Sequence, residues 1–188
     1  MKDISHLKDR HVGERVYIVG MGPSLLNLTP EHFGPGPIIA CYESIHLIER
    51  WNLPNDVYSL QKDNITWMPK RAPLLLHSWE SYRQHDRYGD YEPVYVFDTQ
   101  ADFDNEFTNT SFTSVSIALL MGARQLTIFC FDMTTHGDST RAIVLNGEFV
   151  KDDTPDKFLK DETGVIAQLM EKFNAECTYV TPERKICP

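Results

Sequence analysis

Three groups of residues in this chain have the types and spacing to do chemistry. The first lies in "VYIVGMGPSLLNLTPEHF", residues 16–33, where an apolar run stops at Gly20, Gly22, Pro23 and Ser24 before helix signals begin. Without a Cβ, Gly20 and Gly22 let the backbone bend sharply and approach a ligand closely. Pro23 stiffens the exit, and Ser24 offers a hydroxyl and an N–H. Together they suit a phosphate or a ribose beside a strand end. No Gly-Lys-Ser/Thr follows, so this is not a Walker loop, and Leu25 stands where the Rossmann fingerprint has its third glycine. A plain strand-to-helix turn is the competing reading.

The second group lies in "NTSFTSVSIALLMGARQLTIFCFDM", residues 109–133. Thr110, Ser111, Thr113 and Ser114 cluster where a helix should begin, and hydroxyls beside the free N–H groups of a helix start suit an anion. Helix capping explains the same residues without a ligand. Asp132 falls just past the following strand, where a carboxylate can meet a ribose hydroxyl or act on a substrate. The third group, Asp132, His136 and Asp138, is spaced D-x-x-x-H-x-D. On a strand-end loop it could converge on a metal or serve as acid and base, or be merely solvated. Lesser candidates are Gln61, Lys62 and Asp63, and the pair His77 and Trp79, at two further strand ends. "DTQADFDNEF", residues 98–107, lacks calcium-loop spacing and reads as a solvated or mobile lid. "SYRQHDRYGDY", residues 81–91, reads as an amphipathic surface segment or an acceptor surface.

These residues need elements to position them. Val16–Val19, "PIIACY", "DVYSL", "APLLLHSW", "EPVYVF", "QLTIFCF" and "CTYV" read as strands. Thr29-Pro30-Glu31 signals a short helix start. "ESIHLIERW", "FTSVSIALLMGA" ending at Gly122, and residues 155–174 carry helical patterns. Residues 98–111 read as a loop, and Asn146-Gly147 between apolar runs signals a hairpin. Strands alternating with helices predict a single Rossmann-like α/β domain over residues 1–188, with a mostly parallel sheet flanked by helices and a small antiparallel hairpin near Asn146-Gly147. In such sheets a ligand sits at the carboxyl ends of the strands, so the loops at 20–24, 41–44, 61–64, 98–111 and 132–140 are the ones to inspect.

Composition narrows the partners. With 18 basic and 27 acidic residues the net charge is −9, so an extended nucleic acid is not the expected partner, whereas a small phosphorylated ligand needs only a few local donors. No window is apolar enough for a membrane span, and "MKDISHLKDR" lacks the apolar stretch of a secretory signal. Cys41, Cys130, Cys177 and Cys187 form no C-x-x-C pair and are expected to be reduced structural thiols, which suits the cytoplasm, with a disulfide between two of them as the alternative that spacing leaves open. A homo-oligomer is compatible with all of this.

"VYIVGMGPSLLNL" resembles the Gly-x-Gly-Pro-Ser-Leu loop of the bacterial sialyltransferases of glycosyltransferase family 42. A related loop occurs in proteins like the archaeal 6-hydroxymethylpterin diphosphokinase. "SVSIALLMGARQLTIFCFDM" is similar to those families' serine-led helix, turn, apolar strand and terminal acid, and "AQLMEKFNAECTYVTPE" to their late helix and last strand. The resemblance implies a Rossmann-like nucleotide-binding fold. It places Gly20, Gly22, Pro23 and Ser24 in the nucleotide loop, Thr110 and Ser111 against the donor, and Asp132 at the acid closing the strand. The chain departs from the sialyltransferase pattern at Met21 and Tyr42, where asparagines are expected, and it has no histidine in residues 150–165, where the catalytic one is expected. His136 is the nearest substitute.

The expected function is therefore a nucleotide-dependent transferase, a glycosyltransferase-like enzyme using a nucleotide sugar, with Asp132 and His136 as catalytic candidates that activate an acceptor. The alternatives are a metal-assisted pyrophosphokinase of the pterin type, with Mg2+ as a possible cofactor, and a nucleotide-binding protein without turnover.

Overall fold

The computed structural model describes residues 1–61, 68–78, 88–103, 110–131, 141–145, 148–152 and 163–182. The strands are β1 (Lys2–Asp3), β2 (Arg15–Val19), β3 (Ile38–Cys41), β4 (Val57–Gln61), β5 (Leu74–His77), β6 (Val94–Phe97), β7 (Gln125–Phe129), β8 (Arg141–Leu145), β9 (Glu148–Asp152) and β10 (Glu176–Val180). The helices are α1 (Ser44–Trp51), α2 (Thr99–Phe103), α3 (Thr110–Leu120) and α4 (Thr163–Lys172).

Eight strands form one sheet in the order β1-β6-β5-β4-β3-β2-β7-β10, and every neighbouring pair is parallel. β8 and β9 pair antiparallel, with Leu145 opposite Glu148, which brackets Asn146-Gly147 as the hairpin signal requires; the turn residues themselves lie outside the described ones.

The apolar runs became strands because both faces of this sheet are covered. Val16 and Ile18 of β2 point into the same core as Ile39, Tyr58, Leu60 and the α3 residues Val115 and Ile117. Tyr17 and Val19, one residue out of step, point into the opposite core with Ile38, Ala40 and the α1 residues Ile45 and Ile48. Side chains alternate along a strand, so a run buried on both faces is apolar at most positions, Ser59 and Gln61 of β4 and Thr127 of β7 being buried polar residues. α3 is buried from Phe112 to Leu119 and ends just before Gly122, as its sequence predicts.

The short helix start signalled at Thr29-Pro30-Glu31 is present as a 3-10 turn, Pro30–His32, with Thr29 at its N-cap and Pro30 and Glu31 in its first turn, and the glycine loop leads into a second 3-10 turn, Pro23–Asn27. Pro30 follows too closely for a longer helix to run through it, since it lacks an N–H. Residues 98–111 are not all loop: α2 occupies Thr99–Phe103, and α3 already begins at Thr110. The two-residue edge strand β1 has too few residues to show any periodicity in sequence. Of the long pattern at 155–174, helix is described from Thr163 to Lys172.

Candidate functional site

Strand order places the reversal of chain direction in the sheet. From β2 the chain steps outward through β3, β4, β5 and β6, then crosses by α3 to β7 on the other side of β2. The reversal falls between β2 and β7, whose ends are level in the register pairing Val19 with Phe129. In open α/β sheets a ligand site is expected beside the carboxyl ends of the strands at such a reversal.

The glycine loop leaves β2 at this point. The Gly20 N–H donates to the Phe129 carbonyl (2.9 Å) and the Gly22 N–H to the Cys130 carbonyl (2.7 Å). The loop is thus laced to the end of β7. Gly20 has a structural reason to be glycine: a Cβ there would lie 2.0 Å from the Phe131 ring and 2.6 Å from the Cys130 oxygen. Gly22 sits at φ −65°, which any L-residue adopts. Ser24 is buried in the first turn of Pro23–Asn27. The β8–β9 hairpin packs against this same turn, and the Asn27 amide donates to the Pro182 carbonyl (3.1 Å), which fastens the segment after β10 to it.

The start of α3 reaches the same edge through Tyr42. The Tyr42 and Thr110 hydroxyls hydrogen-bond at 2.9 Å. Ser44 donates to the carbonyls of Cys41 (2.8 Å) and Val19 (3.2 Å), which ties the turn after β3 to the end of β2. Gln61, the last residue of β4 and fully buried, donates to the Tyr42 carbonyl (3.1 Å). Ser114 donates to the Ser111 carbonyl (2.8 Å) and hydrogen-bonds the Cys41 thiol. Burial pushes that thiol up to about 12 against the Ser114 contact, so Cys41 stays protonated. Cys41, Cys130 and Cys177 are free thiols; burial raises Cys177 to about 11.

Two residues here hold a backbone shape that their side chains disfavour. Tyr42 has φ +50° and Cys130 has φ +60°. The other non-glycine residues in the left-handed region are Asp9, Asn52 and Asn174, types that tolerate it. Tyr and Cys do not, and backbone strain of this kind collects at functional sites. The pair flanks the glycine loop, one after β3 and one after β7.

The structure therefore brings Gly20, Gly22, Pro23 and Ser24 to one strand edge with Thr110 and Ser111. Asp132, His136 and Asp138 lie outside the described residues, as do Lys62, Asp63 and Trp79. Among the described residues no group of three or more His, Cys, Asp and Glu side chains could hold a metal. His77 packs edge-on against Phe97, ring centroids 5.4 Å apart, at the end of β5. Sequence reasoning missed the parts played by Tyr42, Ser44, Cys130 and Phe131. Tyr42 carried a signal only as an aromatic residue where an asparagine is expected.

Further along this edge, Asp98 caps α2. Its carboxylate accepts the N–H groups of Gln100 and Ala101 (3.0 Å each) and the Ser78 hydroxyl (3.1 Å), while Asp102 accepts the Asp98 N–H (2.6 Å). The Ala101 N–H leads the donors that hold the Asp98 carboxyl below its ordinary 3.8. A group depressed by folding stabilises fully above its unfolded value, and that contribution disappears as pH falls through the folded one. Asp98→Ala is expected to cost about 1 kcal/mol at neutral pH, the usual worth of such a cap. The cost should shrink below 3.8. Urea unfolding of both proteins at about pH 7 and about pH 3 checks it.

No family model and no curated protein matches the chain. Among solved structures it is similar to the sialyltransferase CstII from Campylobacter jejuni in complex with a substrate analogue, cytidine-5'-monophosphate. That likeness covers 93% of this chain and 83% of that one at 9% identity, with a TM-score of 0.39. No helix of the described residues is long and apolar enough to cross a membrane.

Proposed function

We propose that this chain is a nucleotide-dependent transferase of glycosyltransferase-like chemistry, taking a nucleotide-sugar donor at the carboxyl edge of β2, β3 and β7. One observation carries the reading. The glycine loop leaves β2 at the reversal of strand order, and Thr110 ties the hydroxyl-bearing start of α3 to Tyr42 at the end of neighbouring β3, with Tyr42 and Cys130 in left-handed backbone on either side of the loop.

The division of labour follows from which donors are already used. Because the Gly22 N–H is bound to Cys130, the loop is a poorer phosphate cradle than a run of free N–H groups. Phosphate charge therefore falls to the start of α3, where Thr110 and Ser111 bring hydroxyls to the positive end of the helix dipole. The loop supplies shape, and the hairpin against Pro23–Asn27 supplies cover from water. Asp132 and His136 are the proposed acceptor-activating pair, at the exit of β7 in chain order. Catalysis then rests on stabilising the departing nucleotide and orienting the acceptor.

A thermal-shift panel of CMP, UDP, GDP and ATP, with and without magnesium, tests the reading. One nucleotide should raise the melting temperature without magnesium. Thr110→Val should weaken that nucleotide roughly three- to tenfold, the worth of one hydrogen bond. Silence across the panel at millimolar ligand would sink the proposal. A response to ATP that needs magnesium would replace it with the pyrophosphokinase reading. Binding with no donor consumed would leave a nucleotide-binding protein.

A further inference from the structure

The amino-terminal edge of the sheet carries a different feature. A cavity of about 290 Å³ opens there beside the start of β4 and the end of α1, remote along the strands from the glycine loop. Arg10, Arg71, Glu49, Asn52, Asp56 and Tyr58 all line it.

Counting charges, two arginines against two acids, hides how they are used. The Glu49 carboxylate is taken up by the backbone N–H groups of Lys70, Arg71 and Ala72, at 2.8 to 3.2 Å. It is the staple that holds the 70–72 turn against α1. Among the described residues Arg71, carried on that turn, makes one side-chain hydrogen bond, to the Asn52 Oδ1 (2.8 Å), which aims the guanidinium and leaves its other donors unused by them. No ion pair within 4 Å joins Arg10 or Arg71 to a carboxylate among the described residues. Tyr58 is held from behind: its hydroxyl bonds His11 Nε2 (3.0 Å), and His11 Nδ1 bonds the Glu14 carboxylate (3.2 Å). Burial pushes the phenol up to about 12, with Arg10 opposing, so Tyr58 itself stays neutral.

Two guanidinium groups with unused donors on one small cavity are a receptor for an oxyanion, because the planar fork matches carboxylate and phosphate oxygens. We propose that this cavity binds a small hydroxylated organic oxyanion, a phosphate monoester or a carboxylate, with Arg10 and Arg71 taking its charge and Asp56 accepting from a hydroxyl. The volume is at the lower end of small-molecule sites, which limits the ligand to about the size of a hexose phosphate. Its place at the amino edge makes it a second site and not part of the donor crevice.

The 188-residue chain would be titrated with glucose 6-phosphate, with citrate and with inorganic phosphate, each against sodium chloride of equal ionic strength, reading the melting temperature. A saturable rise with glucose 6-phosphate or citrate is expected, and the one that responds names the class. Arg10→Ala/Arg71→Ala should keep the unliganded melting temperature, since both side chains are exposed, and weaken the response about tenfold or more. Thr110→Val should leave the response intact. The proposal is overturned if neither organic anion exceeds the salt control, if inorganic phosphate does as well as both, or if the response survives the double variant. A response that moves with Thr110→Val would also overturn it, since the anion would then sit at the carboxyl edge.

Discussion

Gly20→Ala is expected to destabilise the protein by about 2 kcal/mol, in the range for overpacking a core. That corresponds to a melting temperature lower by roughly 4 to 8 °C for a chain of this size. The added methyl would overlap the Phe131 ring at 2.0 Å and the Cys130 carbonyl oxygen at 2.6 Å. These two obstacles differ in kind. The ring can turn aside, but the carbonyl is fixed by the Gly22 N–H at 2.7 Å and by the left-handed turn at Cys130. Phe131→Ala in the same chain should therefore restore part of the loss and no more. A double-mutant cycle should show coupling of about 0.5 to 3 kcal/mol between the two positions. A glycine needed only for close approach of a ligand would behave otherwise, with stability unchanged, nucleotide binding lost and no coupling to Phe131. Chemical denaturation of the four proteins of the cycle separates these outcomes.

That test bears on what a sequence can reveal. The glycine loop is plain in sequence, but the reason for its first glycine is a ring 111 positions away, Phe131 against Gly20. Central strands β2, β3, β4, β5 and β7 are legible because burial on both faces forces mostly apolar runs, broken only by such residues as Ser59, Gln61 and Thr127. The end of α3 is legible because a glycine marks it. Features of one turn or less are not. The acid-rich stretch from Asp98 reads as a solvated loop, since a five-residue helix shows no period, yet its first acid is a cap. Left-handed backbone at Tyr42 and Cys130 leaves no trace either, because in sequence only Gly, Asn and Asp announce that conformation. The candidate site was thus visible as two segments, residues 20–24 and 110–111. What joins them, Tyr42 to Thr110 and Ser44 to Val19, is tertiary and silent.

Gly36→Ala should be more damaging, at about 3 kcal/mol or more, from the sum of a strained backbone and a steric overlap. Gly36 has φ +126°, a conformation essentially closed to side chains, and a Cβ there would fall 2.0 Å from the Arg15 carbonyl oxygen. Unlike the Phe131 ring, that atom has no side-chain freedom: Arg15 opens β2, which pairs with both β3 and β7. The loop cannot move away easily either. The Asn55 amide donates to the carbonyls of Gly34 and Gly36, the Gly34 N–H donates to the Tyr17 hydroxyl, and the Tyr17 N–H donates to the Pro37 carbonyl. Relief would mean parting β2 from β3 at the amino edge. Against a total stability of about 5 to 15 kcal/mol this loss is large, and the melting temperature should fall by roughly 10 °C. Asn55→Ala, which frees the loop, should itself destabilise but make Gly36→Ala less costly, since a looser loop can retreat from Arg15. A Gly36→Ala protein within 1 kcal/mol of the parent, or a cost unchanged by Asn55→Ala, would mean that the contact between residues 34–37 and β2 is not the rigid seam described. Because Asn55 and Asp56 also line the amino-edge cavity, the same variants read how far that cavity depends on the loop: Gly36→Ala should weaken the oxyanion response, and Gly20→Ala, at the other end of β2, should not.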